Sequence, residues 1–387
     1  MEEEMAIADC STALVLTGGG ARAAYQAGVL KALAEKGQCR FPIITGVSAG
    51  AINATYLASV TEKPIESAQH LCEAWNDLQI EEVFRSDLSA IGRSLILWAW
   101  MLIRGSGGHT VPVRGIVDTT PLRNYLQRRI RTGGIQSNLE QGKLDALAIS
   151  ATNYHTGQTI TFVHTKEEFQ PWVRAGRRAV QAQITIDHVL ASSALPIVFP
   201  AVPVNGVYYG DGSVRQTAPL SPAIHMGADR ILAISVRYPR DPVEETEIQV
   251  HGYPPPAQIL GMLMNSIFLD SLEADAERLR GTNQIISHYA SSAQPPGRFR
   301  HIDLLVLNPS RDLGKLSANL AADLPLSLRL LVRGLGAERS RTPDFLSYLL
   351  FEPSYVNRLI ELGYQDTVNR WAKIEAFLAD SGRSRGR

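Results

Sequence analysis

The sequence predicts an α/β fold with parallel neighbouring strands, and three observations carry that expectation. Ala13 to Thr17 is a compact apolar run of strand type ending at Gly18-Gly19-Gly20, and Ala21 to Lys36 follows with helical composition, closed by Gly37. Pro42 to Val47 and Ala49 to Val60 repeat the strand–glycine–helix order, and two such units in succession call for a crossover connection and a parallel sheet. Leu144 to Ala151, Thr159 to His164 and Arg230 to Val236 then read as further strands. The sheet signals run to about residue 310 without a clear linker, so one domain over residues 12–310 with insertions is expected.

Within the first unit, Val29, Leu30 and Leu33 are the core-facing residues of the predicted helix. Between the regular pieces, residues 81–114 form an inserted segment, a possible lid, that holds the most apolar run, Leu95 to Ile103. Tyr238 to Gln258 is rich in proline and acidic residues and is expected to be an exposed loop. Ser317 to Gly336 is leucine-rich with Arg329 and Arg333 interleaved. Residues 311–380 are expected to be a helical extension packing on the same domain, and the basic stretch 381–387 a disordered tail.

Composition narrows the function classes. The 387 residues are 45% apolar and 20% charged, which excludes the disordered, low-hydrophobicity class. Lys plus Arg and Asp plus Glu both number 38, so the formal charge is zero, against the basic excess of a dedicated nucleic-acid binder. Three scattered cysteines (Cys10, Cys39 and Cys72) fit neither a disulfide framework nor a zinc site, and imply a reducing compartment. The opening Met-Glu-Glu-Glu-Met is acidic where a signal peptide needs positive charge. Leu95 to Ile103 is about half of the ~20 residues that a membrane-spanning helix requires. The expected location is cytoplasmic or peripheral to a membrane.

Chemistry is concentrated in two glycine turns. Gly46-Val47-Ser48-Ala49-Gly50 fits the G-x-S-x-G nucleophile elbow, in which a serine on a sharp strand-to-helix turn exposes its hydroxyl above the sheet. The pattern falls between a predicted strand and a predicted helix, the context it requires. Gly18-Gly19-Gly20-Ala21-Arg22 sits at the first strand-to-helix junction, where consecutive backbone N–H groups favour negative charge. That loop suits the oxyanion of an acyl-transfer intermediate or a phosphate. A Walker loop is excluded, because Gly-Lys-Ser/Thr is missing. A serine nucleophile needs a base. Asp211-Gly212 follows an apparent hairpin at Val204 to Gly210, while nine histidines are present without an evident partner. In the order Ser…Asp…His, only His225, His251, His288 or His301 could follow Asp211.

Taken together, Gly18 to Arg22, Gly46 to Gly50 and Asp211-Gly212 resemble the patatin-like phospholipase family. Ala191 to Pro200 followed by Tyr208 to Gly212 resembles its fourth block, and Asp118 to Leu122 and Phe351 to Tyr364 its bacterial members. The resemblance implies a three-layer α/β/α fold with a central, mostly parallel sheet and helical insertions. It implies a Ser–Asp dyad with Ser48 as nucleophile and Asp211 as base, and an oxyanion site at Gly18, Gly19 and Gly20 with Arg22 nearby. Gly46 and Gly50 frame the elbow. Ala23, Ser213 and Thr217 stand where many members have glycine, glycine or alanine, and asparagine respectively.

The activity so implied is hydrolysis of lipid acyl esters, with a phospholipid or lysophospholipid substrate, no cofactor and no metal, and peripheral membrane contact through Leu95 to Ile103 or Leu324 to Leu335. Two other readings stay open at this point. One is a catalytically silent lipid- or membrane-binding relative, and the other is a nucleotide-binding α/β protein that uses the glycine loop.

Overall fold

The computed structural model describes residues 11–37, 40–85, 87, 92–93, 96, 100, 115–246, 253–290, 299–318, 320–334, 336 and 344–379. Most of the inserted segment 81–114, with nearly all of Leu95 to Ile103, lies outside them, as do Cys10, Cys39, His251, Leu335 and the tail 381–387.

The first half contributes β1 (Thr12–Leu16), α1 (Ala24–Glu35), β2 (Ile43–Val47), α2 (Ala49–Ser59), α3 (Pro64–Asp77), β3 (Ala146–Asn153) and β4 (Thr159–Thr165). The second adds β5 (Val173–Arg174), β6 (Arg177–Gln181), α4 (Ile186–Ser192), β7 (Val202–Val204), β8 (Val207–Asp211) and β9 (Arg230–Ile234). The chain continues through α5 (Pro256–Phe268), α6 (Asp270–Ala290), β10 (Asp303–Leu307), α7 (Leu326–Gly334), α8 (Asp344–Leu349) and α9 (Pro353–Asn369). The sheet runs β10-β9-β1-β2-β3-β4-β6-β5, with β7 and β8 off that path. From β10 to β3 every pairing is parallel; β3–β4 and the β7–β8 hairpin are antiparallel.

Alternation along β1 explains the layers. Leu14 and Leu16 enter one apolar cluster with α1, α2, α3 and α9, while Ala13 and Val15 enter a second with Leu272, Ala276 and Leu279 of α6. Successive side chains of a strand point to opposite faces, so a strand buried on both reads as a continuous apolar run. Helices therefore cover the sheet on both sides, giving three layers of mixed α/β structure with a mostly parallel centre, as the sequence predicts.

Two expectations need correction. Tyr238 to Gln258 is not all loop: Pro242–Glu245 is one helical turn capped by Asp241, and α5 starts at Pro256. Proline at the first positions of a helix loses no hydrogen bond, so the proline cluster marks a helix start as well as a turn. The predicted helix from Ala21 begins instead as a 3₁₀ turn over Gly20–Ala23.

The chain beyond residue 310 is tied to α1. A side-chain carbon on Gly28 would lie 1.9 Å from the Ile360 carbonyl oxygen, and one on Gly363 would lie 2.1 Å from the Tyr25 carbonyl oxygen. The α1 and α9 backbones thus touch where both residues are glycine, and the Tyr25 hydroxyl donates to Asp366 Oδ2 at 3.1 Å nearby. Among the described residues, no helix is long and apolar enough to cross a membrane.

Candidate active site

The sheet register brings the two predicted catalytic residues together. β3 is eight residues long and β2 only five, and the pairing of Val47 with Ser150 is the last between them. β4 occupies the other edge of β3, so β8 takes over the vacated one, pairing Asp211 with Ala151 from the opposite direction. The ends of β2 and β8 therefore meet head to head on adjacent residues of β3. Ser48 Oγ donates to Asp211 Oδ2 at 2.6 Å.

Ser48 has φ 55° and ψ −132°, a strained backbone for a residue with a side chain, and it opens α2. The turn is tolerated because its flanks are glycines. A side-chain carbon on Gly50 would lie 2.3 Å from the Leu16 carbonyl oxygen, and one on Gly46 would lie 2.6 Å from the Gly50 carbonyl oxygen. The Ser48 backbone N–H donates to Ser192 Oγ at 3.0 Å, and the fully buried Ser192 hydroxyl donates to the Ser150 carbonyl at 2.7 Å. Sequence reasoning did not single out Ser192, although it lies in the block that leads to Pro200. Ser192→Ala would orphan a buried N–H at the elbow, a loss of about 1–3 kcal/mol. With a short-chain ester, kcat is expected to fall about 10- to 100-fold with KM unchanged, which steady-state kinetics would show.

Asp211 is held from three further sides. Its Oδ1 accepts from the Ser213 N–H at 2.9 Å, its carbonyl from Thr152 Oγ1 at 2.8 Å, and its own N–H donates to the Ala194 carbonyl at 2.9 Å. Burial pushes the carboxyl up to about 7, although the bonds from Ser48 and Ser213 pull the other way. Any rate that needs the carboxylate should fall as pH drops through about 7, and a kcat/KM profile from pH 5 to 9 checks this. Between the ordinary value of 3.8 and about 7, the unfolded chain has lost this proton and the folded chain has kept it. This group's contribution to stability therefore declines as pH rises across that window and is flat above it.

The glycine loop lies against the serine. A side-chain carbon on Gly18 would sit 2.8 Å from Ser48 Cβ and 2.7 Å from Ser213 Oγ, so this position must be bare for the loop to approach. Gly19 and Gly20 have positive φ, 153° and 56°. The loop is fixed by a buried chain of side-chain amides. Gln26 Nε2 donates to the Thr17 carbonyl at 2.9 Å, Asn53 Nδ2 to Gln26 Oε1 at 2.9 Å, and Trp75 Nε1 to Asn53 Oδ1 at 2.8 Å.

Arg22 goes elsewhere. Its guanidinium donates to Asp344 Oδ1 at 2.7 Å and Ser347 Oγ at 2.7 Å and lies 4.2 Å above the Tyr348 ring. The Tyr348 hydroxyl and the Asn265 amide complete the knot, donating to Asn265 Oδ1 at 2.8 Å and Asp344 Oδ2 at 3.0 Å. Arg22 thus clasps α5 and α8 to the glycine loop. Arg22 lies beside the glycine loop with its side-chain donors committed to this knot, and it is not among the residues that wall the cavity.

Ser48 and Asp211 open onto a cavity of about 50 Å³ walled by Ile52, Trp75, Leu122, Phe199, Met264 and Phe268, among other apolar groups. Among the described residues, neither a histidine nor a basic side chain lines it. His225 stacks on Trp172, and His188 joins Thr185 in a capping box at the start of α4, where burial pushes it down to about 4. Nor does any group of three or more His, Cys, Asp or Glu among the described residues suit a metal ion.

The model of the patatin-like phospholipase family matches residues 14–224, more than half of the chain. The chain belongs to that family. Solved structures similar to this patatin-like chain include human GIVD cytosolic phospholipase A2 in complex with methyl gamma-linolenyl fluorophosphonate. It is 13% identical with a TM-score of 0.43, over 96% of this chain and 59% of that one. VipD from Legionella pneumophila is 13% identical with a TM-score of 0.37, over 94% of this chain and 67% of that one. Full-length ExoU of Pseudomonas aeruginosa, in complex with SpcU, is 15% identical with a TM-score of 0.28, over 96% and 80%. No curated protein sequence matches this patatin-like chain.

Proposed function

We propose that the chain is a serine-dependent lipid acyl hydrolase of phospholipase A or lysophospholipase type, working through an acyl-enzyme with Ser48 and Asp211 as its dyad. The observation that carries this reading is the 2.6 Å bond from Ser48 Oγ to a buried Asp211 at the mouth of an apolar cavity. In the first step Ser48 Oγ adds to the ester carbonyl and its proton passes to Asp211. Collapse of the tetrahedral intermediate breaks the acyl–oxygen bond, and Asp211 returns the proton to the departing alcohol. Water then attacks the acyl-serine, gives a proton to Asp211, and the fatty acid leaves as Ser48 is reprotonated. Backbone N–H groups of Gly18 to Gly20 are the donors assigned to the oxyanion.

The cavity supports a fatty acyl chain over a nucleotide, since its described wall is aromatic and aliphatic and offers no cation to a phosphate. Arg22 serves this reading as a positioning residue. The test is incubation with a mixed lipid extract, with released fatty acids identified by mass spectrometry and Ser48 labelled by a fluorophosphonate. Fatty acid release that disappears on labelling is expected. Neither labelling nor release, with lipid still bound, would leave a silent lipid binder. A melting temperature raised by nucleotide, with no release, would overturn the reading.

A further inference from the structure

We propose that the outward face of α5, continued by α7, is the surface on which this protein sits on a phospholipid layer. The proposal deepens the lipid hydrolase reading and rests on it.

The residues of α5 divide into two apolar stripes. Ala257, Gly261, Met264 and Phe268 recur at helical spacing on the inner side, and Met264 and Phe268 wall the cavity above Ser48. On the opposite side Ile259, Met262 and Leu263 are 43%, 63% and 55% exposed. These three are spaced i, i+3, i+4, so they share one face. The thirteen residues of α5 include no Asp, Glu, Lys or Arg. A surface helix ordinarily turns charge to water, whereas α5 turns Ile259, Met262 and Leu263 outward around the uncharged Ser266. Asn265, bonded to Arg22, Asp344 and Tyr348, holds α5 in place with its outer stripe turned to solvent.

The neighbouring helix repeats the pattern with charge added. In α7 Leu328 and Val332 are buried, while Leu326, Arg329, Leu330 and Arg333 form an exposed i, i+3, i+4, i+7 stripe. The end of α7 comes close to the start of α5: a side-chain carbon on Gly336, just past α7, would lie 2.9 Å from Pro255 Cβ, just before α5. Leucine and arginine alternating on one face suit the boundary between acyl chains and phosphate headgroups. A lipid occupant follows from continuity. The inner stripe of α5 walls the apolar cavity that Ser48 opens onto, and its outer stripe is exposed, so a lipid layer against α5 would lie one helix thickness from that cavity.

Flotation with vesicles of phosphatidylcholine containing some phosphatidylglycerol tests the proposal on the full chain. A triple variant, Ile259→Ser with Met262→Ser and Leu263→Ser, is expected to lose vesicle binding about tenfold or more. Its hydrolysis of a soluble short-chain ester should stay within about twofold of the parent. Should the triple variant not fold, Met262→Cys carrying an environment-sensitive dye, read against the parent chain treated identically, should shift to the blue on adding vesicles. Binding of the triple variant equal to the parent's, or no blue shift at position 262, would overturn the proposal. So would a stable dimer that the triple variant abolishes, because a second copy would then own the stripe. Flotation is repeated with Ser48→Ala, so the surface is judged without turnover. Ester hydrolysis surviving in Ser48→Ala would refute the hydrolase reading instead.

Discussion

Replacing Asp211 with asparagine is expected to lower kcat for a short-chain p-nitrophenyl ester by about a thousandfold or more while the protein stays folded. The amide keeps the shape of the carboxyl and an oxygen able to accept the Ser213 N–H, but it has no basic oxygen to take the Ser48 proton. Ser48→Ala should cost as much, and the double variant little more than either single, because members of one proton relay are removed together. Melting curves should show both singles folded. The Asp211→Asn variant should also lose the sensitivity of melting to pH between 3.8 and about 7 that the buried carboxyl confers. Full activity in Asp211→Asn would eliminate the dyad and return the search for a base to His225, His251, His288 and His301.

Gly363→Ala should be among the more damaging single methyl additions in the chain. The added carbon would lie 2.1 Å from the Tyr25 carbonyl oxygen and 3.0 Å from the Val29 nitrogen, both backbone atoms of α1 that no rotamer change can move. The α1–α9 pair must separate or tilt, a loss of about 3 kcal/mol from strain and poorer packing. Thermal unfolding should then occur roughly 3–5 °C lower. An unchanged melting temperature would mean that α9 can shift freely on α1.

How much of this was legible in the sequence depended on range. β1, β2, α1 and α2 were readable because apolar runs and glycines lie within a few residues of each other, and the β7–β8 hairpin because Asn205-Gly206 supplies two positive φ angles at its turn. Ser48 was readable from its own pentapeptide. Its contact with Asp211 was not, because it depends on β8 pairing with the tail of β3, and only the family resemblance pointed to it. α5 escaped notice for a different reason. A helix with apolar residues on both its inner and outer sides has no polar stripe to reveal its period. The Arg22 knot joins residues more than 240 positions apart, and nothing near Arg22 announces Asp344 or Asn265. Ser192 looked like one serine among several until the elbow N–H was seen resting on it.

The junction on β3 has one more implication. The separation between the serine and aspartate oxygens is dictated by hydrogen-bonded main chain, two strand tips abutting along a third and braced by Ser192 of α4, with no described hydrogen bond from either residue to α5 or α7. Grafting a foreign segment in place of α5 or α7 should therefore retune which lipids reach the pocket while the reactive pair stays in register, which makes those two helices the natural place to begin redesigning selectivity.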